Sequence, residues 1–490
     1  VNSQIVKLFG FIVVLFAVLI GFTSYWAVFD AKALKQKNAN QRPLLEQQQI
    51  ERGRILAADG TVIARSVAKG KGDNLRYVRR YPQGSLFGHP IGYSFVRQGD
   101  TEFEQFHNDQ LIGEESEFSS ILDQLRGAEQ NGNDIVTNLD PNAQRIALEG
   151  LEAAGFGAVV AIEPSSGRVR VMASNAPYDP NRIPYGEELS KLYRNKLEAP
   201  LVNRATQSRY PPGSTFKVVT AAAALDSGKI TPDTPIDAPG SITDEGLPLE
   251  NDFNTTYPGL TLDGALTNSV NTWFAQVGAR VGEDTLFEYM ERFGFNSKPA
   301  IDLPSDELVS SGVVDLENGG RLLTRRDPID IERVAIGQER LLVTPLQNAL
   351  VAAAVANRGH EMKPQIWSRV VDSDGRTVEK LQPSEYGQPI SEKTAEELTT
   401  AMEGVVSEGT GTNAAISGVP VAGKTGTAET PGNEACGGGA EENQAWFMGF
   451  APADEPKIAI AVSVECTPEF GNDVAAPIFR EVAEAILHGE

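Results

Sequence analysis

At 490 residues the chain is long enough for two or three domains. Its formal charge of −23 at pH 7 leaves no basic footprint for nucleic acid and would repel anionic surfaces. Four scattered histidines and two cysteines offer no ligand cluster of zinc spacing, so neither a metal nor a cofactor is expected.

Residues 1–7 read as a short tail. From Leu8 to Phe29 there is no charge, and Leu, Ile, Val and Phe dominate. At 1.5 Å per residue this stretch spans about 33 Å, enough for a bilayer core of about 30 Å. Tyr25 and Trp26 suit the far interface. A cleaved signal peptide is the alternative, since Ala31-Lys32-Ala33 has a small-x-small shape. Signal-peptide apolar regions run about 7–15 residues, however, and this one is longer, which favours a retained anchor. Lys7 precedes the span while Lys32, Lys35, Lys37 and Arg42 follow it, and that count alone would put the large domain in the cytoplasm. Long domains translocate largely regardless of flanking charge. The expectation is a single-pass protein of the cell membrane, and the flanking charges do not fix its orientation.

Residues 30–49 are polar and read as a tether. Residues 50–155 show short alternating strands, glycine-marked turns and a polar loop at 127–133, then a helix from Asn142 to Ala153 with apolar residues at helical spacing. This is a small β-rich pedestal. Residues 156–490 open with a hairpin, Ala158–Ile162 and Val169–Ser174, and carry strand-like runs at Val421–Thr427, Ala445–Phe450 and Ile458–Glu465. A last helix is expected from Pro477 to Leu487. Strands at both ends of a domain with a helix-rich middle predict an α+β fold: one antiparallel sheet, helices on both faces, and an all-helical lobe.

Three segments of the second domain carry chemistry. Tyr210-Pro211-Pro212-Gly213 stops the chain, and a helix-forming run begins at Ser214-Thr215-Phe216-Lys217. Residues three apart share a helical face, so Ser214 and Lys217 meet at the positive helix end. A serine becomes a nucleophile when a neighbouring base, here a lysine of depressed pKa, takes its proton. Ser269 and Asn271 set a hydroxyl and an amide two residues apart, and Gly423-Lys424-Thr425-Gly426-Thr427 reads as a strand whose glycines admit another backbone. Each has a plainer reading. Ser214 could be a helix N-cap, Lys217 and Lys424 solvated lysines, and Ser269 and Asn271 caps of a helix running from Thr272 to Gly282. Together, S-x-x-K, S-x-N and K-T-G in this order, about 55 and 155 residues apart, form the serine acyl-transferase signature of penicillin-binding proteins and class A β-lactamases.

With Arg52-Gly53-Arg54-Ile55 before Asp59-Gly60, and Gly99-Asp100-Thr101-Glu102-Phe103-Glu104 similar to a G-x-x-G-L-E box, the chain resembles a class B penicillin-binding protein. Gly337-Gln338, Thr344-Pro345-Leu346-Gln347 and Asn357-Arg358-Gly359 extend the likeness, and the compact pedestal resembles the actinobacterial members. The resemblance implies a dimerisation-like pedestal, a penicillin-binding/serine β-lactamase-like domain and peptidoglycan D,D-transpeptidase activity blocked by β-lactams. Ser214, Lys217 and Ser269 would be catalytic, and Asn271, Lys424, Thr425, Gly426 and Thr427 would hold the peptide. The N–H groups of Ser214 and Thr427 would form the oxyanion hole. Implied partners are stem peptides, β-lactams, the membrane, a polytopic glycan polymerase and proteins of a division or elongation complex. The substrate so implied lies outside the membrane, which implies in turn a large extracytoplasmic domain with the N-terminus inside. A pedestal of about 105 residues is too small for a glycosyltransferase domain. The other enzymatic reading is a hydrolase, a D,D-carboxypeptidase or β-lactamase; a non-catalytic β-lactam sensor or scaffold is the third. Glu307, about 36 residues past Asn271, lacks the E-x-x-L-N context of a deacylating glutamate and reads as surface. Cys436 and Cys466 either form a disulfide or remain free thiols, and Gly437-Gly438-Gly439 reads as a hairpin tip.

Overall fold

The computed structural model describes residues 2–28, 48–113, 131–196, 198–244, 246–316, 319–429 and 443–489. Residues 30–47 of the tether, Cys436 and the Gly437–Gly439 tip lie outside the described residues, as do the Tyr25 and Trp26 side chains. Asn2–Val28 is one helix. Its stretch Ser3–Thr23, of mean hydropathy 2.8, is long and apolar enough to cross a membrane and is not buried by any of the described residues.

The pedestal is built on a six-stranded sheet. Ile55–Leu56, Val62–Lys69 and Arg76–Arg80 run antiparallel, and Asp134–Thr137 pairs parallel with Ile55–Leu56. Trp367–Val371 and Thr377–Lys380, drawn from far along the chain, complete the other edge. The sheet therefore joins residues from both sides of the expected boundary at 155/156.

Beneath the sheet the two pedestal boxes meet through charge. Arg52 donates to Glu104 Oε2 at 2.8 Å and to the Glu104 carbonyl at 2.7 Å, while Arg79 Nε donates to Glu104 Oε1 at 2.6 Å. Burial alone would raise the Glu104 carboxyl, yet the guanidiniums of Arg79 and Arg52 hold it below its ordinary value. Gly53 is required here, because a Cβ would lie 1.9 Å from the Asn133 carbonyl oxygen.

Glu102 stands where the box pattern has its second glycine, and its backbone keeps the left-handed conformation that glycine favours, φ +48°. The reading of Glu307 as a surface residue is corrected at this point. Its carboxylate is half-buried and accepts the Glu102 N–H at 2.8 Å. Burial and the neighbouring Glu307 push the Glu102 carboxyl well above its usual range. A polar Ser305-Asp306-Glu307 turn looks solvated in sequence, because its partner lies 205 residues earlier.

The second domain centres on a five-stranded antiparallel sheet. Its spatial order is Ala422–Glu429, Asn443–Ala451, Ile458–Thr467, Phe156–Ile162 and Val169–Asn175. Alternation sends Val159, Ala161, Phe447 and Val462 into a core with Ala143, Leu151, Phe479 and Val482 of the helices Pro141–Ala154 and Gly471–Leu487. The opposite face, with Val160, Met448, Ala459 and Ala461, joins the core of the Lys217–Asp226 and Pro345–Ala356 helices. Every residue of Pro345–Ala356 is buried, so this helix, apolar all round, forms the centre of the domain. The Pro141–Ala154 helix, expected in the pedestal span, thus packs on the second domain's sheet.

Two local expectations change. The final helix starts at Gly471 with Pro477 inside it, rather than at Pro477. The serine motif opens on a 3-10 turn, Gly213–Phe216, and the α-helix begins only at Lys217. Cys466, at the end of Ile458–Thr467, is disulfide-bonded.

Candidate active site

The Ser214 turn is held from several sides. Gly213, at φ +51°, donates its N–H to the Gly337 carbonyl at 3.0 Å. Trp446 Nε1 donates to the Pro211 carbonyl at 2.9 Å, and Asn348 Nδ2 to Thr215 Oγ1 at 3.2 Å. In a 3-10 turn residues i and i+3 eclipse, which stacks Ser214 and Lys217 on one face. Ser214 is half-exposed, and among the described residues its hydroxyl has no hydrogen-bond partner. It does not cap the turn: Pro212 holds that position and no side chain caps.

Ser269 lies in the left-handed region at φ +55° without being glycine, a local strain of about 1–2 kcal/mol. That conformation lets Ser269 present carbonyl and hydroxyl to the same amine. Lys217 Nζ donates to the Ser269 carbonyl at 2.7 Å, to Ser269 Oγ at 3.3 Å and to Asn271 Oδ1 at 2.6 Å. Asn271 Nδ2 in turn donates to the Glu250 carbonyl at 2.8 Å. Asn271 opens the helix Asn271–Val281, whose N-cap residue is Val270 and whose Thr272 N–H donates to Asn251 Oδ1 at 2.9 Å, so the capping alternative for Ser269 and Asn271 falls.

From the sheet edge, Lys424 Nζ donates to Ser269 Oγ at 3.0 Å. Ser269 Oγ therefore lies between the two amines, and hydrogen bonds link all three motifs. Glycines permit the closeness: a Cβ on Gly426 would lie 2.6 Å from the Pro212 carbonyl oxygen, and one on Gly213 3.1 Å from Thr427 N. The Ser214 turn and the Thr427 backbone thus abut. Thr425 Oγ1 shares a hydrogen bond with Thr410 Oγ1 at 2.7 Å, and Thr427 Oγ1 accepts the Gly471 N–H at 3.3 Å. Cys466 belongs to the strand two places from Lys424's, and Cys436 lies outside the described residues.

Neither lysine is solvated; both are wholly buried. Burial first, then the Lys424 charge, drives the Lys217 amine well below 10.5. Burial likewise lowers Lys424, to about 7, against a raising effect of Asp252. The hydrogen-bond partners of both amines are neutral oxygens, so nothing in the first layer restores the charged form. A lysine placed this way is equipped to take a proton from a hydroxyl near neutral pH. Among the described residues no group of three His, Cys, Asp or Glu is arranged for a metal ion.

Sequence reasoning did not single out Thr410, Trp446, Asn348 or Asp252. None lies in a recognisable spacing, and each acts through tertiary contact. Gly337 was marked by its Gly337-Gln338 segment, but not its place behind the serine turn.

Two families match the chain: the penicillin binding protein transpeptidase domain over residues 157–484 and the penicillin binding protein A dimerisation domain over residues 52–135. The chain is 32% identical over 510 residues to the peptidoglycan D,D-transpeptidase PbpA of Mycolicibacterium smegmatis, covering 99% of each. It is 32% identical over 496 residues to PbpA of Mycobacterium tuberculosis, covering 94% of each. Among solved structures, penicillin-binding protein A from M. tuberculosis as its ceftriaxone acyl-enzyme superposes with a TM-score of 0.78 at 31% identity, covering 90% of this chain and 100% of that one. The D,D-transpeptidase domain from Eggerthella lenta gives 0.76 at 32%, covering 90% and 99%. With a transpeptidase domain over more than half its length and PbpA relatives along nearly all of it, the chain belongs to the class B penicillin-binding proteins.

Proposed function

We propose that this protein is a peptidoglycan D,D-transpeptidase in which Ser214 forms the acyl-enzyme. The observation that carries this is the chain of hydrogen bonds from Asn271 through Lys217 and Ser269 to Lys424, built around a serine whose hydroxyl has no partner among the described residues. Neutral Lys217 takes the Ser214 proton as the oxygen attacks the D-Ala–D-Ala carbonyl. The N–H groups of Ser214 and Thr427 receive the developing oxyanion, where losing one donor costs about 3–4 kcal/mol. Ser269 Oγ passes the proton to the departing D-Ala amine. Asn271 orients the peptide, charged Lys424 holds the terminal carboxylate with Thr425 and Thr427, and Gly426 keeps the strand open for the peptide to add alongside.

An amine of a neighbouring stem peptide then attacks the ester and forms the cross-link. The position of Glu307 supports transfer over hydrolysis, because its carboxylate is engaged by Glu102 of the pedestal. β-Lactams, shaped like the donor, acylate Ser214 and persist. The Asn2–Val28 helix anchors the chain with its N-terminus inside; residues 50–137 with the strand pair of 367–380 serve as pedestal, and the rest of the chain from 141 to 490 as catalytic domain, both outside. A polytopic glycan polymerase of a division or elongation complex is the expected partner through anchor and pedestal. Cys436, the other cysteine of the sequence, is the proposed partner of Cys466.

Intact-mass spectrometry over hours after adding benzylpenicillin tests the reading. A single lasting adduct on Ser214, absent in Ser214→Ala, supports it. An adduct that clears within seconds would make the protein a hydrolase.

A further inference from the structure

Away from the active site, a cavity of about 270 Å³ opens between the pedestal sheet and the 163–168 turn of the catalytic sheet. Arg168, Arg170, Arg369 and Lys380 line it, with Glu163 as the one lining carboxylate. In a chain of net charge −23, four cations converging on one opening is unexpected. Glu163 is already committed, accepting from Arg170 at 2.7 Å and lying 3.5 Å from Arg168, and Asp140 stands 3.3 Å from Arg170.

Arg369 and Lys380 are directly opposite one another in the antiparallel pair at the sheet edge. Like charges in that position destabilise a sheet. Among the described residues neither has an ion-pair partner, and both are exposed at the cavity rim. Deeper in, Arg168 Nε is buried with no hydrogen-bond partner. An uncompensated cross-strand cation pair over an orphaned guanidinium N–H calls for negative charge and acceptor oxygens together.

We propose that this cavity binds a multivalent oxyanion of the phosphate or pyrophosphate class, with Arg369 and Lys380 at its rim and Arg168 within. Planar guanidinium forks match tetrahedral oxyanions, and a group with several oxygens serves all three side chains, whereas a lone carboxylate would leave excess charge. The bound anion would span the pedestal edge and the turn after Ile162, stiffening the junction between the two domains. Its phosphate comes either free or on a lipid headgroup; the chemistry is shared.

The test titrates sodium pyrophosphate into the full chain in neutral detergent at constant ionic strength, read by calorimetry and thermal unfolding. Saturable binding is expected, with a rise in melting temperature that follows ligand concentration. Arg369→Gln with Lys380→Gln should weaken binding at least tenfold. Without ligand, the same variant should melt no lower than the parent, because the cross-strand repulsion is gone, and its penicillin acylation rate should be unchanged. Displacement of pyrophosphate by dihexanoylphosphatidylglycerol would assign the lipid source, and failure to displace it the free anion. Absence of saturable binding, or binding equal in the double variant, overturns the proposal.

Discussion

Two buried charge clusters in this protein are built in opposite ways. In the pedestal, two guanidiniums enclose one carboxylate at 2.8 and 2.6 Å, and both Glu104 and Arg52 are stabilised in their charged forms. In the catalytic domain, two wholly buried lysines share a serine hydroxyl, and their hydrogen-bond partners are neutral oxygens. The first arrangement fixes a junction. The second raises the free energy of the charged state and keeps a base available. Buried charge with its counter-ion is architecture here, and buried charge without one is chemistry.

Substitutions should separate the two. Lys217→Met keeps the volume and removes the base, so penicillin acylation should fall by about 10⁴-fold, the upper range for a positioned proton acceptor. Thermal unfolding of the same variant should be unchanged or shifted upward, since an uncompensated buried amine is gone. A large loss of stability would show that the amine holds the fold together.

Glu104→Gln should do the reverse. Two guanidiniums lose their counter-charge, and the pedestal should be destabilised by about 3–5 kcal/mol in denaturant unfolding. The acylation rate per folded molecule should hold; a parallel fall would join the two clusters into one unit.

The pH response sharpens the contrast. Lys424, lowered to about 7, is charged below that pH and neutral above it. Acylation by a β-lactam carrying a free carboxylate should therefore decline about tenfold per unit above pH 7, and esterifying the carboxylate should abolish the decline. Stability should move the other way. Unfolded lysines keep their protons up to about 10.5, so the unfolded state binds more protons, and stability rises from pH 7 to 10.5 as the cost of the two buried amines is relieved. A carboxylate-dependent rate that stays flat across this range would remove Lys424 as the carboxylate anchor.

The smallest effect belongs to Glu102. Its raised carboxyl keeps a proton that the unfolded chain has released, so its contribution falls as pH rises above 4.5. Glu102→Gln should stabilise by about 1 kcal/mol at pH 7.5, with the gain vanishing below pH 4.5. A gain independent of pH would trace to something other than this carboxyl.

Much of the catalytic domain could be read beforehand, because its signals are local. Ser214 and Lys217 are three residues apart, and the strands around Val160 and Val462 are short continuous apolar runs, as a sheet covered on both faces requires. What escaped was long-range. Nothing near Thr267-Asn268-Ser269 announces a left-handed serine, since no glycine marks it. Trp367–Val371 looks like any strand, and its pairing with Asp134–Thr137 is encoded only by the complementary edge. Glu307 and Glu102 each look soluble alone, and their contact exists only in the folded chain. The charged boxes were visible, but not that Arg79 joins Arg52 on Glu104.

The most direct test of the account is the pH dependence of acylation by benzylpenicillin methyl ester, followed by intact mass. Esterification removes the Lys424 requirement and leaves the ionisation of Lys217 exposed. The rate should reach its plateau well below pH 10.5, the ordinary lysine value, as expected for an amine that burial and Lys424 have already made neutral. A rate that keeps climbing tenfold per unit up to that value would mean Lys217 titrates as a solvated lysine, and the account of its burial as the source of catalysis would be wrong.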